Sequence, residues 1–284
     1  MNNIIILDGA MGTELWKSAE AAGIQKAPVW TYNITAPQLV TELHKRYIAA
    51  GTQIICTNTF SANIPAVNSE GYDWREVISK GVRLARKAAD EADKSAAQEG
   101  DFRSRRIRVA LDLGPLFSPL DPFGDTTEEA CREIYKNLCE EGAASGADII
   151  FLETFMDTDM LTIAAEEAKK TGLPVFCCMS FERSGKTLYG ADPKSMIEAL
   201  SEIRPDAIGL NCSYGPVDAL PVIEAFKAAC DIPLILKPNT ADLSVSDFAE
   251  TLKSAVSSVS YMGACCGSDP GYIRALCEAL RTPL

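Results

Sequence analysis

Asp148-Ile-Ile-Phe-Leu-Glu153, a stretch of helical spacing, then Pro174-Val-Phe-Cys-Cys-Met-Ser180 is the passage on which the fold turns. Two short runs rich in Ile, Leu, Val and Phe, each too apolar for a half-exposed strand, flank a segment with helical periodicity. This is the signature of buried parallel strands joined by a crossover helix. The unit repeats outward in both directions. Further strands are expected at Ile4–Asp8, Gln53–Asn58, Arg108–Leu113, Ala207–Asn211, Pro233–Pro238 and Val259–Met262, the last having the weakest pattern. The helices between them include Pro37–Ala50, with Thr35 as its cap and Gly51 as its stop, and Trp74–Ala97. Eight strand and helix pairs close most economically into a single (β/α)8 TIM barrel occupying residues 1–284 as one domain, with a doubly wound open sheet as the alternative that periodicity leaves standing. The most polar segment, Gln98–Arg106, reads as a surface loop at the bottom of the barrel.

Composition narrows the class. With 284 residues, 47% of them apolar, the chain can bury a large core unaided. No apolar run reaches the roughly 18 residues a membrane span needs, and Met1-Asn2-Asn3 lacks a basic leader region, so a cytoplasmic protein is expected. A net charge of -12, from 39 acidic and 27 basic residues, argues against nucleic acid and against an anionic membrane surface as partners. Ten cysteines in such a chain are expected to stay reduced, for packing or for metal.

In a TIM barrel the reactive groups stand at the carboxyl ends of the strands. Those ends carry Asp8 to Glu14, Thr57-Asn-Thr-Phe60, Asp112-Leu-Gly-Pro115, Glu153-Thr154, Asn211-Cys-Ser213, Lys237-Pro-Asn239 and Gly263-Ala-Cys-Cys-Gly267. Three cysteines, Cys212, Cys265 and Cys266, thus meet on one rim, enough for a catalytic zinc site with an open fourth position. Adjacent cysteines face opposite ways in a strand, so this needs a turn, which Gly263 and Gly267 allow. A pair of buried cysteines alone would more simply be inert packing; the convergence of Cys212 tips the reading to metal. The only histidine, His44, lies in a helix away from the rim, so the site is expected to be all sulfur. Cys131, Cys139, Cys230 and Cys277 in helices, Cys56 in a strand and the mid-strand pair Cys177-Cys178 read as core.

Asp8 and Glu153 could be a glycosidase acid and base, but the rim has few aromatic platforms for a sugar. They suit an ammonium group equally well, and the Gly9–Gly12 loop beside them can turn backbone N–H groups toward an anion. Together these would grip an amino acid. For Asn58, binding and loop structuring are equally plausible readings.

The motifs Asp8-Gly-Ala-Met-Gly-Thr-Glu14, Thr57-Asn-Thr-Phe60, Glu153-Thr154, Gly209-Leu-Asn-Cys-Ser213, Pro238-Asn239 and Ala264-Cys-Cys-Gly267 resemble, in order and along the whole chain, those of the homocysteine S-methyltransferases. Asn211-Cys-Ser-Tyr-Gly-Pro216 and Gly190-Ala-Asp-Pro193 most resemble the homocysteine-binding module of cobalamin-dependent methionine synthase. The resemblance implies zinc on Cys212, Cys265 and Cys266, the amine of L-homocysteine near Asp8 and Glu153, and its carboxylate on amides around Gly12 and Thr13. Asn58 and Asn239 stand in the matching motifs as further substrate-binding candidates. It also implies methyl transfer to the thiol, giving methionine. The expected donor is methylcobalamin or another methylcorrinoid on a separate protein, because the chain ends at Leu284 without room for a corrinoid module. A small donor (S-methylmethionine, S-adenosylmethionine or betaine) and a non-catalytic zinc-binding subunit are the alternatives. Two departures stand out: Ala264 replaces the second glycine before the paired cysteines, and the stretch from Asn239 to Gly263 is shorter than in the family, which should open the rim to a bulky donor.

Overall fold

A computed structural model describes residues 4–98 and 106–281 of the chain. Eight parallel strands, β1 (Ile5–Ile6), β2 (Ile54–Cys56), β3 (Arg108–Leu113), β4 (Ile149–Phe155), β5 (Val175–Met179), β6 (Ala207–Cys212), β7 (Leu234–Pro238) and β8 (Tyr261–Met262), pair in sequence order, with β8 returning to β1. The seam between β1 and β2 is closed by a bridge from Leu7 to Ile54 and by the Gln53 N–H on the Ile6 carbonyl at 2.8 Å. There the Gln53 side-chain oxygen accepts from the Ile6 N–H at 3.1 Å, standing in for a ladder carbonyl. The result is the expected (β/α)8 barrel, and the open sheet is excluded.

Strand alternation sorts the side chains into two cores. Leu7, Ile54, Ala110, Phe151, Phe176 and Ile235 fill the barrel, while their neighbours such as Ile55, Leu111, Leu152 and Leu236 pack under the helices. Burial on both faces is why these strands are apolar until their carboxyl ends. The Cys177-Cys178 pair divides as its mid-strand place demands, Cys177 outward and Cys178 inward.

Four local expectations are corrected. Thr35 does not cap the helix Pro37–Ala50: it ends a short helix of its own, Tyr32–Thr35, its hydroxyl donating to the Thr31 carbonyl at 3.1 Å, and Ala36 takes the cap position. Gly51 does stop that helix, at φ 112°. The helix bearing His44 is preceded by Gly12–Ala21, so Gly12 opens a helix rather than ending a loop. Cys230 lies in extended backbone just beyond the helix Pro216–Ala229. The long helix runs Trp74–Gln98, and most of the expected polar loop after it, residues 99–105, lies outside the described residues. No helix among the described residues is long and apolar enough to cross a membrane.

Candidate functional site

The three rim cysteines meet. Cys212, at the end of β6, and Cys265 and Cys266, beyond β8, place their sulfur atoms within 4.8 Å of one another, with 3.5 Å between those of Cys212 and Cys266. A tetrahedral ion with about 2.3 Å to each sulfur needs sulfurs a little under 4 Å apart, so the cluster fits zinc. Cys266 is exposed and no carboxylate or imidazole among the described residues joins the group, which leaves one face for an outside ligand. Hydrogen bonds from Cys212 and Cys265 hold the Cys266 thiol well below its ordinary range, while those two thiols are pushed up. Without a cation only one of the three ionises readily, and a divalent ion is what makes three thiolates compatible.

Unusual backbone builds this cluster. Cys212 and Ser213 have φ of 58° and 45°, a left-handed pair with no glycine, and Thr154 across the mouth has φ 65°. Such conformations cost energy and persist only where neighbours enforce them. The Asn239 amide donates to the Ser213 carbonyl at 2.6 Å, and its backbone N–H to the Cys212 carbonyl at 3.1 Å. Asn211, fully buried, clamps Thr154 from both sides: its oxygen accepts from the Thr154 N–H and its amide donates to the Thr154 hydroxyl, each at 2.7 Å. The paired cysteines are tied in the same manner, the Cys265 N–H to the Pro238 carbonyl at 2.8 Å and the Cys266 carbonyl to the Thr240 N–H at 3.1 Å. The turn the cysteines need comes from Gly267, at φ 86°. Gly263 serves differently: a Cβ there would lie 2.8 Å from the Asp8 carbonyl oxygen. Ala264 is accommodated, its side chain buried in the outer core and its N–H on the Asp8 carbonyl at 3.1 Å.

Beneath the sulfurs, inside the barrel, lies a charged cluster. Asp8, 1% exposed, accepts the Cys56 N–H on Oδ2 at 2.7 Å, and its Oδ1 has no hydrogen-bond partner. Lys237 on β7 reaches between the expected pair of carboxylates, 3.2 Å from Glu153 Oε2 and 3.6 Å from Asp8 Oδ1. Asp112 on β3 completes the group, its Oδ1 also buried without a partner. Burial pushes the Asp8, Asp112 and Glu153 carboxyls up, Glu153 to about 7. Burial pulls Lys237 down, but Glu153, the Cys56 thiol and Asp8 together outweigh it and hold the ammonium above its ordinary range. Lys237 and Asp112 were not among the candidates read from sequence, although strand parity could have found them: Ala110 and Ile235 point into the barrel, so the residues two positions on do so as well.

The remaining candidates surround this cluster. Gly12 and Thr13 open the helix Gly12–Ala21, whose first turn has no side-chain cap, and the Thr13 hydroxyl is buried without a partner. A helix start in that condition offers N–H groups and a partial positive charge to an anion. Asn58 is engaged elsewhere, donating to the Val29 carbonyl at 2.7 Å and to Asn33 Oδ1 at 3.0 Å. Asn239 keeps a buried, unpartnered Oδ1. His44 is fully buried far from any ligand set, and neither ring nitrogen has a partner.

The chain is 27% identical to the methionine synthase of Mycobacterium tuberculosis and 27% identical to that of Mycobacterium leprae. Each match covers 98% of this chain and 24% of the relative, so the chain spans about a quarter of the length of these curated relatives. Among solved structures, the homocysteine methyltransferase MmuM from Escherichia coli shares the fold. Its oxidized form gives a TM-score of 0.83 at 24% identity over 98% of this chain and 96% of that one, and its metallated form 0.80 at 23% over 99% and 96%. The family model described as homocysteine S-methyltransferase matches residues 5–280, and the chain therefore belongs to the homocysteine S-methyltransferase family.

Proposed function

We propose that this protein transfers a methyl group to the thiol of L-homocysteine, giving methionine, with zinc held by Cys212, Cys265 and Cys266. The observation that carries the reading is the three-sulfur cluster, open on one face, directly above buried carboxylates. When bound, the metal supplies a substrate thiolate at neutral pH in place of a poorly nucleophilic thiol. The chain's own residues grip the amino acid: Asp8 and Glu153 offer carboxylate oxygens to its ammonium, and the uncapped helix start at Gly12 and Thr13 offers N–H groups to its carboxylate. Asn58 and Asn239 shape the site, the first by fixing the Val29–Asn33 segment and the second by fixing the Cys212–Ser213 turn. Neither a corrinoid nor a sulfonium leaving group needs a proton, so the buried carboxyls serve binding rather than acid catalysis.

The donor in this reading is a methylcorrinoid carried by a partner protein. The most exposed large apolar side chains among the described residues, Phe117, Phe123, Leu188, Tyr189 and Val217, lie in the segments that follow the carboxyl ends of β3, β5 and β6, the end of the barrel that carries the site. Apolar surface collected there suits a docked carrier more than a small cationic donor diffusing in water. Steady turnover with S-methylmethionine, S-adenosylmethionine or betaine alone would replace this donor.

The test is calorimetric titration of the zinc-loaded protein with L-homocysteine in two buffers of different ionisation enthalpy. Binding with proton release, lost together with the metal in Cys212→Ala, is the expected result. A metal-to-thiolate spectrum of the cobalt-substituted protein that homocysteine leaves unchanged would instead mean a closed, non-catalytic site.

A further inference from the structure

The two carboxylates expected to receive the substrate's ammonium already hold one. Lys237, 3% exposed, places its Nζ 3.2 Å from Glu153 Oε2 and 3.6 Å from Asp8 Oδ1. One lysine nonetheless serves a cluster of three buried carboxyls, and it pairs with only two of them. Two of its oxygens, Asp8 Oδ1 and Asp112 Oδ1, are buried and without hydrogen-bond partners. Orphaned buried carboxylate oxygens are costly and call for a ligand that donates.

Asp112 is placed to share that ligand. It is 4% exposed, and strand parity from Ala110 aims its side chain into the barrel, where Glu153, Lys237, Asp8 and the Cys265 thiol act on it. Its backbone is secured without its carboxyl: the N–H donates to the Thr57 hydroxyl at 3.0 Å, and the carbonyl accepts from the Thr59 hydroxyl at 2.7 Å. The carboxyl is thus buried, unspent and not required by the local fold.

We infer that Asp112 is a ligand of the substrate's ammonium group: Lys237 stays in place, fixing Asp8 and Glu153, and the incoming ammonium is received by Asp112 Oδ1 and Asp8 Oδ1. Lys237 is then a positioning residue, and the site selects thiols that carry an amine over those that do not. The inference rests on the reading of the cluster as the seat of an amino-acid thiol.

The experiment titrates zinc-loaded wild type and Asp112→Asn with L-homocysteine and with 4-mercaptobutyrate, which keeps the thiol, chain length and carboxylate but lacks the amine. Removing a charged hydrogen-bond partner should weaken homocysteine at least tenfold. The same variant should bind 4-mercaptobutyrate within about twofold of wild type, which also reports an intact fold and metal site. Wild-type affinity for homocysteine in the variant, or equal loss of both thiols, overturns the assignment. A wild type that binds 4-mercaptobutyrate as tightly as homocysteine overturns it too, while leaving the thiol and zinc reading standing. A wild type that binds neither thiol removes the acceptor reading and Asp112 with it.

Discussion

Single residues carry information here when they are buried and polar. His44 has no hydrogen-bond partner, and burial lowers its pKa from 6.5 to about 3. A histidine buried neutral must charge on unfolding in acid, so the unfolded state binds more protons between those values, and stability present above pH 6.5 is lost as the pH falls toward 3. At pH 5 the loss is about 2 kcal/mol, at about 1.4 kcal/mol per unit. Urea unfolding of wild type and His44→Leu at pH 7.5 and pH 5 checks this: the leucine variant should lose about 2 kcal/mol less between the two. Asn211 works through backbone. Asn211→Leu leaves the half-buried Thr154 N–H and hydroxyl without their partner and should cost about 1 to 3 kcal/mol in the same assay. The motif around Asn211 was visible in the sequence, but its hold on Thr154, 57 residues away, was not.

At the scale of elements, all eight strands were legible because each carries a short apolar run, a pattern that depends only on neighbouring residues. The ends were less so. β8 has two residues, and the chain then leaves the ladder, passes Gly263 beside the β1 backbone, and turns at Gly267 to present both cysteines. A glycine pair suggested flexibility at both positions, yet only Gly267 has a left-handed φ, and Gly263 is needed for close approach. Gly263→Ala should therefore overpack the β8 to β1 seam, destabilising by about 1 to 3 kcal/mol and displacing Asp8 and Cys265 together. Urea unfolding and zinc retention against a chelator should both fall, whereas a purely flexible role predicts a smaller loss of stability with normal metal retention. Thr35 teaches the same lesson in reverse: a good capping residue was consumed by a short helix that local pattern did not announce.

The whole molecule is polarised. The three cysteines and a buried charged cluster gather inside the mouth, and the most exposed large apolar side chains lie in segments that follow strand ends. Phe117 and Phe123, 75% and 84% exposed, bury little and should be dispensable for stability. The double variant Phe117→Ser with Phe123→Ser should unfold within about 0.5 kcal/mol of wild type. Its homocysteine affinity should be unchanged, while methyl transfer from a protein-bound methylcorrinoid slows relative to transfer from free methylcobalamin. Equal rates with both donors would remove this surface from the docking reading.

The sequence by itself determined the strand and helix alternation and pointed to the meeting of three cysteines at one rim, because periodicity marks the elements and strand ends share a face, while closure into a barrel rather than an open sheet was decided by the structure. The tertiary structure alone decided which polar groups those ends bring into contact. Lys237 between Asp8 and Glu153, the unpartnered oxygen of Asp112, and the left-handed turn at Cys212 join residues from four strands, and such contacts depend on barrel closure and side-chain reach rather than on any local pattern.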